Sequence, residues 1–240
     1  MLSLPKILFL CYNVFMSNSF INRPDYKNIV KKVREYSFGE EIGNSITHGV
    51  MALAVLGGIA PVAIHIYLKL GTLAAVGTSI FMCSIFLMFL SSTIYHSMTE
   101  DTLHRQVFQI LDHIFIYVAI AGTYTPIALS VIGGWQGIVV ASLQWAMVMF
   151  GVLHKSLSRR KIPKVSVTIY LVMGWSVLFV LPMFLRNASL GLQIFILAGG
   201  IFYSAGVYFF AKGKKFFHMV WHFFVNLGAI CHFLGILMFL

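Results

Sequence analysis

LAAVGTSIFMCSIFLMFLSSTIY, Leu73 to Tyr95, runs for twenty-three residues without one charged side chain. Coiled as a helix it is longer than the roughly 30 Å of hydrocarbon in a bilayer. His96 follows at once, so the run ends on an ionisable group rather than fading into a polar loop. Six other stretches of comparable length flank it, near residues 46–68, 108–130, 134–153, 165–185, 190–210 and 218–239. They are continuous, without the alternation of a transmembrane β-barrel. The loops between them are short, so consecutive helices are expected to be antiparallel neighbours. Pro61, Pro126 and Pro182 fall inside spans, where a membrane helix tolerates a kink.

Composition agrees. The chain is 59% hydrophobic and 10% charged, with a mean hydropathy of +0.88. Soluble domains carry roughly 25% charged residues. The expected fold is an all-α polytopic membrane protein, a seven-transmembrane helix bundle in the cell (plasma) membrane. Its net charge of +10 would suggest nucleic acid in a soluble protein. In a membrane protein, basic residues mark cytoplasmic loops, so no nucleic-acid partner is expected and membrane lipids are. Cys11, Cys83 and Cys231 are few, odd in number and scattered through apolar sequence, which excludes a disulfide framework and a CxxC zinc site.

Lysine and arginine set the orientation. Fifteen of them lie in the N-terminal arm and in the loops after spans 2, 4 and 6. Only Lys69 and Arg186 lie on the other side. The bias predicts a cytoplasmic N-terminus and an extracytoplasmic C-terminus. Residues 1–40 read as a cytoplasmic or interfacial arm, and 41–240 as the membrane domain. Within the arm, Ile7 to Phe20 is too short and too polar for a span, and residues 23–41 read as a polar lead-in to span 1.

That topology gathers polar residues at one depth. His96 ends span 2, Asp112 begins span 3, and His218 and His222 occupy the first turns of span 7. Asn44, Thr47 and His48 begin span 1 at the same level. Ionisable groups at membrane depth are costly and mark functional sites. His218 and His222 are spaced i, i+4, so both face one side of a helix. His96 offers a third imidazole, and Ser92 lies one turn deeper on its face. Three imidazoles with an open fourth position form a catalytic zinc pattern rather than a closed structural one. The metal ligands are therefore expected to be His96, His218 and His222, and the ion Zn2+. An ion so held activates water at neutral pH. Asp112 is the candidate general base beside it, and Ser92 its neighbour in the catalytic set. A simple pairing of Asp112 with Arg105 or a loop lysine is the competing expectation. His48 reads either as support for the site or as an interfacial anchor. His113 points about 100° away from Asp112 around the helix. His232 lies about 15 Å along the helix from His222, too far to share its ion, and is expected to bond a neighbouring helix. Gly199, Gly200, Ser204 and Gly206 give span 6 a small-residue face for close packing.

Four segments then carry a resemblance. Glu41-Ile-Gly-Asn44-Ser-Ile-Thr47-His48-Gly, Ser92-Thr-Ile-Tyr-His96-Ser, Leu111-Asp112-His113 and His218-Met-Val-Trp-His222 resemble, in order, the motifs of the bacterial hemolysin III-related proteins. These form a branch of the progestin and adipoQ receptor (PAQR) family. The resemblance covers about residues 36–240. It implies a seven-helix bundle with its N-terminus inside. It also implies zinc on His96, His218 and His222 in the inner leaflet, and Asp112 reaching the metal through water. Amide hydrolysis of ceramide-type lipids has been linked to the receptor branch, whose site resembles that of alkaline ceramidases. His113 stands where those receptors usually carry an aromatic residue.

Three readings of function follow. The first is a zinc-dependent intramembrane hydrolase of a lipid amide or ester. The second is a sensor or regulator of membrane state with zinc as a structural staple. The third is a pore-forming cytolysin, as the family name suggests; the spans show no polar channel stripe to favour it.

Overall fold

The computed structural model describes residues 36–99, 102–157 and 163–240. Most of the arm expected over residues 1–40, including the Ile7–Phe20 run, lies outside the described residues. Phe38–Leu240 form a compact unit. Its helices are α1 (Phe38–Leu70), α2 (Thr72–Ser97), α3 (Leu103–Pro126), α4 (Gly134–Leu157), α5 (Pro163–Trp175), α6 (Leu181–Asn187), α7 (Leu190–Lys212) and α8 (Phe217–Phe239). A π-helical segment, Ile127–Ile132, prolongs α3, and a 3-10 segment, Ser176–Val180, joins α5 to α6. Seven stretches are long and apolar enough to cross a membrane, with α5, the 3-10 segment and α6 together making the fifth. The seven-helix membrane bundle is therefore the fold.

α2 packs extensively against both α1 and α3, and α7 against α8; α8 also meets α1. The main core sits where α1, α2 and α8 converge, on Ile66, Phe81, Phe89, Val225 and Ala229. Leu53, Phe179 and Leu197 are among the large apolar side chains left exposed. For a chain solvated by lipid, such outward apolar surface is the expected state.

Small residues allow the closest approaches. A Cβ on Gly77 of α2 would come within 3.0 Å of the Pro126 backbone. On the expected small-residue face of α7, Gly199 lies against His232, and a Cβ on Gly206 would come within 2.9 Å of Phe224. His232 meets the Ile196 carbonyl at 3.1 Å, the neighbouring-helix bond expected of it.

Two features depart from the apolar pattern. α1 starts at Phe38, eight residues before the apolar stretch that begins near residue 46. The intervening Glu40, Glu41 and Asn44 are buried, so the segment read as a polar lead-in is, from Phe38 on, helix turned inward. Hydropathy cannot distinguish a polar residue facing water from one facing a polar interior. The fifth span is also not one continuous helix. At its break, Tyr124 Oη donates to the Gly174 carbonyl at 2.7 Å and accepts from Val177 N–H at 2.8 Å. Gln144 Nε2 donates to the Met173 carbonyl at 3.1 Å and to Ser176 Oγ at 2.6 Å. Irregular backbone is tolerated at membrane depth where protein groups satisfy it in this way.

Candidate metal centre

The i, i+4 spacing on α8 puts His218 and His222 on one face, their ring centroids 4.7 Å apart. His96, on the last turn of α2, turns its ring towards both, with centroids 5.1 Å and 5.2 Å away. All three side chains are buried. One nitrogen from each ring lies within 4.8 Å of the other two. His96 Nε2 and His218 Nε2 are 3.2 Å apart.

The far sides of two rings are already engaged. His96 Nδ1 donates to Glu41 Oε2 at 2.5 Å, and Asn44 Nδ2 sits 3.5 Å from the same nitrogen. His222 Nδ1 faces the Asn44 carbonyl and Thr47 Oγ1, each at 3.2 Å. Thr47 spends its own hydrogen on that carbonyl, so its hydroxyl is left to accept. Nδ1 must then carry the proton in both rings, and Nε2 presents a lone pair. His222 Nε2 is fully buried, with no hydrogen-bond partner among the described residues. Buried polar atoms seldom stay unpaired unless they have another task.

These residues fit a metal ion. Two zinc–nitrogen bonds of about 2.0–2.1 Å at the tetrahedral angle place their nitrogens about 3.3 Å apart, close to the His96–His218 spacing. The Nδ1 hydrogen bonds match the outer support that metal-bound imidazoles carry.

Around the triad, α1 supplies what the apolar pattern conceals. Glu41 Oε1 accepts from Arg105 Nη2, so this one carboxylate joins α1 to His96 on α2 and to Arg105 on α3. Arg105 also donates to the Met98 carbonyl at 3.1 Å and lies over the Tyr95 ring, 5.2 Å from its centroid. Gln109 Nε2 donates to Tyr95 Oη at 2.9 Å. The neighbouring Glu40 accepts from Phe216 N–H at 2.6 Å, which anchors the start of the helix bearing His218 and His222. His48 stacks on His222, ring centroids 3.7 Å apart and 9° from parallel, and is edge-on to Phe89. It belongs to the site's interior and is not an interfacial anchor.

Of the expected site residues, His96, His218 and His222 are brought together. Ser92 is buried one turn before His96, with no hydrogen-bond partner at its hydroxyl. Asp112 is buried too, but lies outside the 4.8 Å set. Its carboxylate lies 3.6 Å from His113 Nδ1, a nitrogen that meets the Gln109 carbonyl at 2.6 Å. Arg105, the competing partner for Asp112, is ion-paired with Glu41. Sequence reasoning passed over Glu41 as a site residue. The available signal was the i, i+3, i+7 spacing of Glu41, Asn44 and His48, which places them on one helical face.

The family model described as "Haemolysin-III related" matches residues 36–233, nearly all of this bundle. The chain belongs to the haemolysin-III related family. It is 36% identical to Hemolysin-3 of Bacillus cereus over 203 residues, covering 83% of this chain and 91% of that protein. It is 34% identical to a Hemolysin-3 homolog of Bacillus subtilis (strain 168) over 206 residues, covering 85% and 96%. As a haemolysin-III relative with seven apolar spans, it is an integral, multi-pass protein of the plasma membrane. The triad and its α1 supports all fall inside the matched region.

Proposed function

We propose that this protein is a zinc-dependent intramembrane hydrolase of a lipid amide or ester. The observation that supports it most is the convergence of three buried imidazoles whose Nδ1 sides, in His96 and His222, are held by α1. Zinc bound there would polarise a carbonyl and bring the pKa of a water towards neutrality. Imidazole donors suit zinc, and three of them leave a fourth position for a reacting group. In this reading Asp112 accepts the proton of the attacking water, and movement or an intervening water closes its distance to the triad. The buried Ser92 hydroxyl, one turn from His96, orients the polar head of the substrate. On the orientation that the lysine and arginine bias favours, the site would lie in the inner leaflet and substrate would enter laterally from lipid.

The test is purified protein of known zinc content, assayed against a broad panel of lipid amides and esters, beside Asp112→Asn. Wild-type turnover is expected, with the variant slower by about 10²–10⁴-fold, the usual worth of a general base. Zinc-replete protein that turns over no lipid, with Asp112→Asn indistinguishable from wild type in cells, would sink the proposal.

One observation favours a second reading, a sensor or regulator in which zinc is a staple. The triad and Glu41 tie together α1, α2, α3 and α8. On that reading Asp112→Asn is silent, while His222→Ala abolishes both the fold and any phenotype.

A further inference from the structure

The carboxylate of Glu41 is buried, reaches His96 Nδ1 at 2.5 Å, and shares its second oxygen with Arg105. His96 is the only member of the triad on α2; the other two share α8. The spacing between α2 and α8 therefore decides whether three nitrogens can meet one ion. Nothing within the His96 side chain fixes its χ2, and a ring flip would present Nδ1 in place of Nε2. A carboxylate on Nδ1 prevents this, and it also makes Nε2 a better donor. Arg105 holds that carboxylate from the far side, and is itself held by the Met98 carbonyl just past the end of α2. The chain of contacts starts and ends on α2 and passes through α1 and α3.

We infer that Glu41 is a positioning residue for metal binding, acting through His96 and held in place by Arg105. It is not a ligand. The carboxylate oxygen occupies the Nδ1 side of the imidazole, and Nε2 is the nitrogen that would hold a metal. This inference rests on the metal-binding part of the reading above and is independent of whether lipid is hydrolysed.

Zinc affinity, measured by chelator competition on the purified full-length protein, is the test. Cobalt-substituted protein adds an absorption spectrum that reports ligand geometry. Glu41→Ala is expected to weaken zinc binding by about 10–100-fold, the usual worth of such outer partners. Glu41→Gln keeps the shape and an acceptor but loses the charge, and is expected to lose about tenfold with shifted cobalt bands. Either change leaves Arg105 buried without its carboxylate, so a loss could come from misfolding. Glu41→Gln combined with Arg105→Gln separates the two causes, because it removes both charges. If Glu41 acts through His96, the double variant folds and still binds zinc about tenfold more weakly than wild type. If it folds and binds zinc like wild type, Glu41 serves only to pair Arg105, and the inference is wrong. Wild-type protein that binds neither zinc nor cobalt would overturn the metal-site reading as well.

Discussion

Spans 2 and 3 and spans 5 and 6 are similarly apolar, yet they occupy the bundle differently. In spans 2 and 3, 56% and 50% of the most apolar stretch is buried, against 11% in each of spans 5 and 6. Hydropathy places all four in lipid without saying which lies at the centre. Small and polar residues say more. α2 buries Thr78, Ser84, Ser91, Ser92 and His96 along its length, whereas the residues that α7 buries are Leu192, Gly199 and Gly206. A helix that keeps hydroxyls and imidazole inside hydrocarbon needs protein on several sides, because lipid cannot satisfy them. Spans 2 and 3 thus carry buried polar side chains, and spans 5 and 6 present apolar surface to the membrane.

The comparison can be broken most decisively at the triad. His218→Ala with His222→Ala should reduce bound metal from near one per protein to undetectable, as read by elemental analysis; full retention would move any metal elsewhere. Next in size is packing at the centre against the periphery. Gly77→Val pushes a side chain towards the Pro126 backbone and should cost about 1–3 kcal/mol in detergent unfolding. Leu197→Ala, on the lipid face of α7, should cost less than about 0.5 kcal/mol. Equal losses would erase the distinction between centre and edge. The smallest effect expected from a buried group is at the broken fifth span. Tyr124→Phe removes the hydroxyl that serves Gly174 and Val177, and should cost about 0.6 kcal/mol and no more than about 1.7 kcal/mol, the mean and maximum for hydrogen bonds within membranes. No change there would mean that the break is stabilised by packing alone.

Much of this was legible in the chain. Seven apolar runs gave seven spans, and HxxxH on one helix with His96 on another gave the triad, because charge counting put them at one depth. What stayed hidden was hidden by the same rule that revealed the spans. Glu40 and Glu41 precede an apolar run and so resemble a solvated lead-in, although they are buried in the first turn of α1. His48 reads equally as support or anchor in the sequence, since a single sequence does not show that its ring stacks on His222. The 3-10 break of the fifth span has Pro182 as its nearest signal, and that residue lies just past it. Asp112 is buried, but side-chain direction within a turn is finer than a depth argument can resolve.

The triad draws one imidazole from α2 and two from α8, and its first and last members are separated by more than a hundred residues of chain. A polypeptide is made from its N-terminus at roughly 5–20 residues per second. Spans 1 to 3, with Glu41, Arg105 and His96, are therefore in the bilayer several seconds before His218 and His222 exist. During that interval the half-built centre holds only one of the three triad imidazoles, against a carboxylate. If the triad binds a metal as proposed, loading would be the closing act of biogenesis and would report that the seventh helix has arrived.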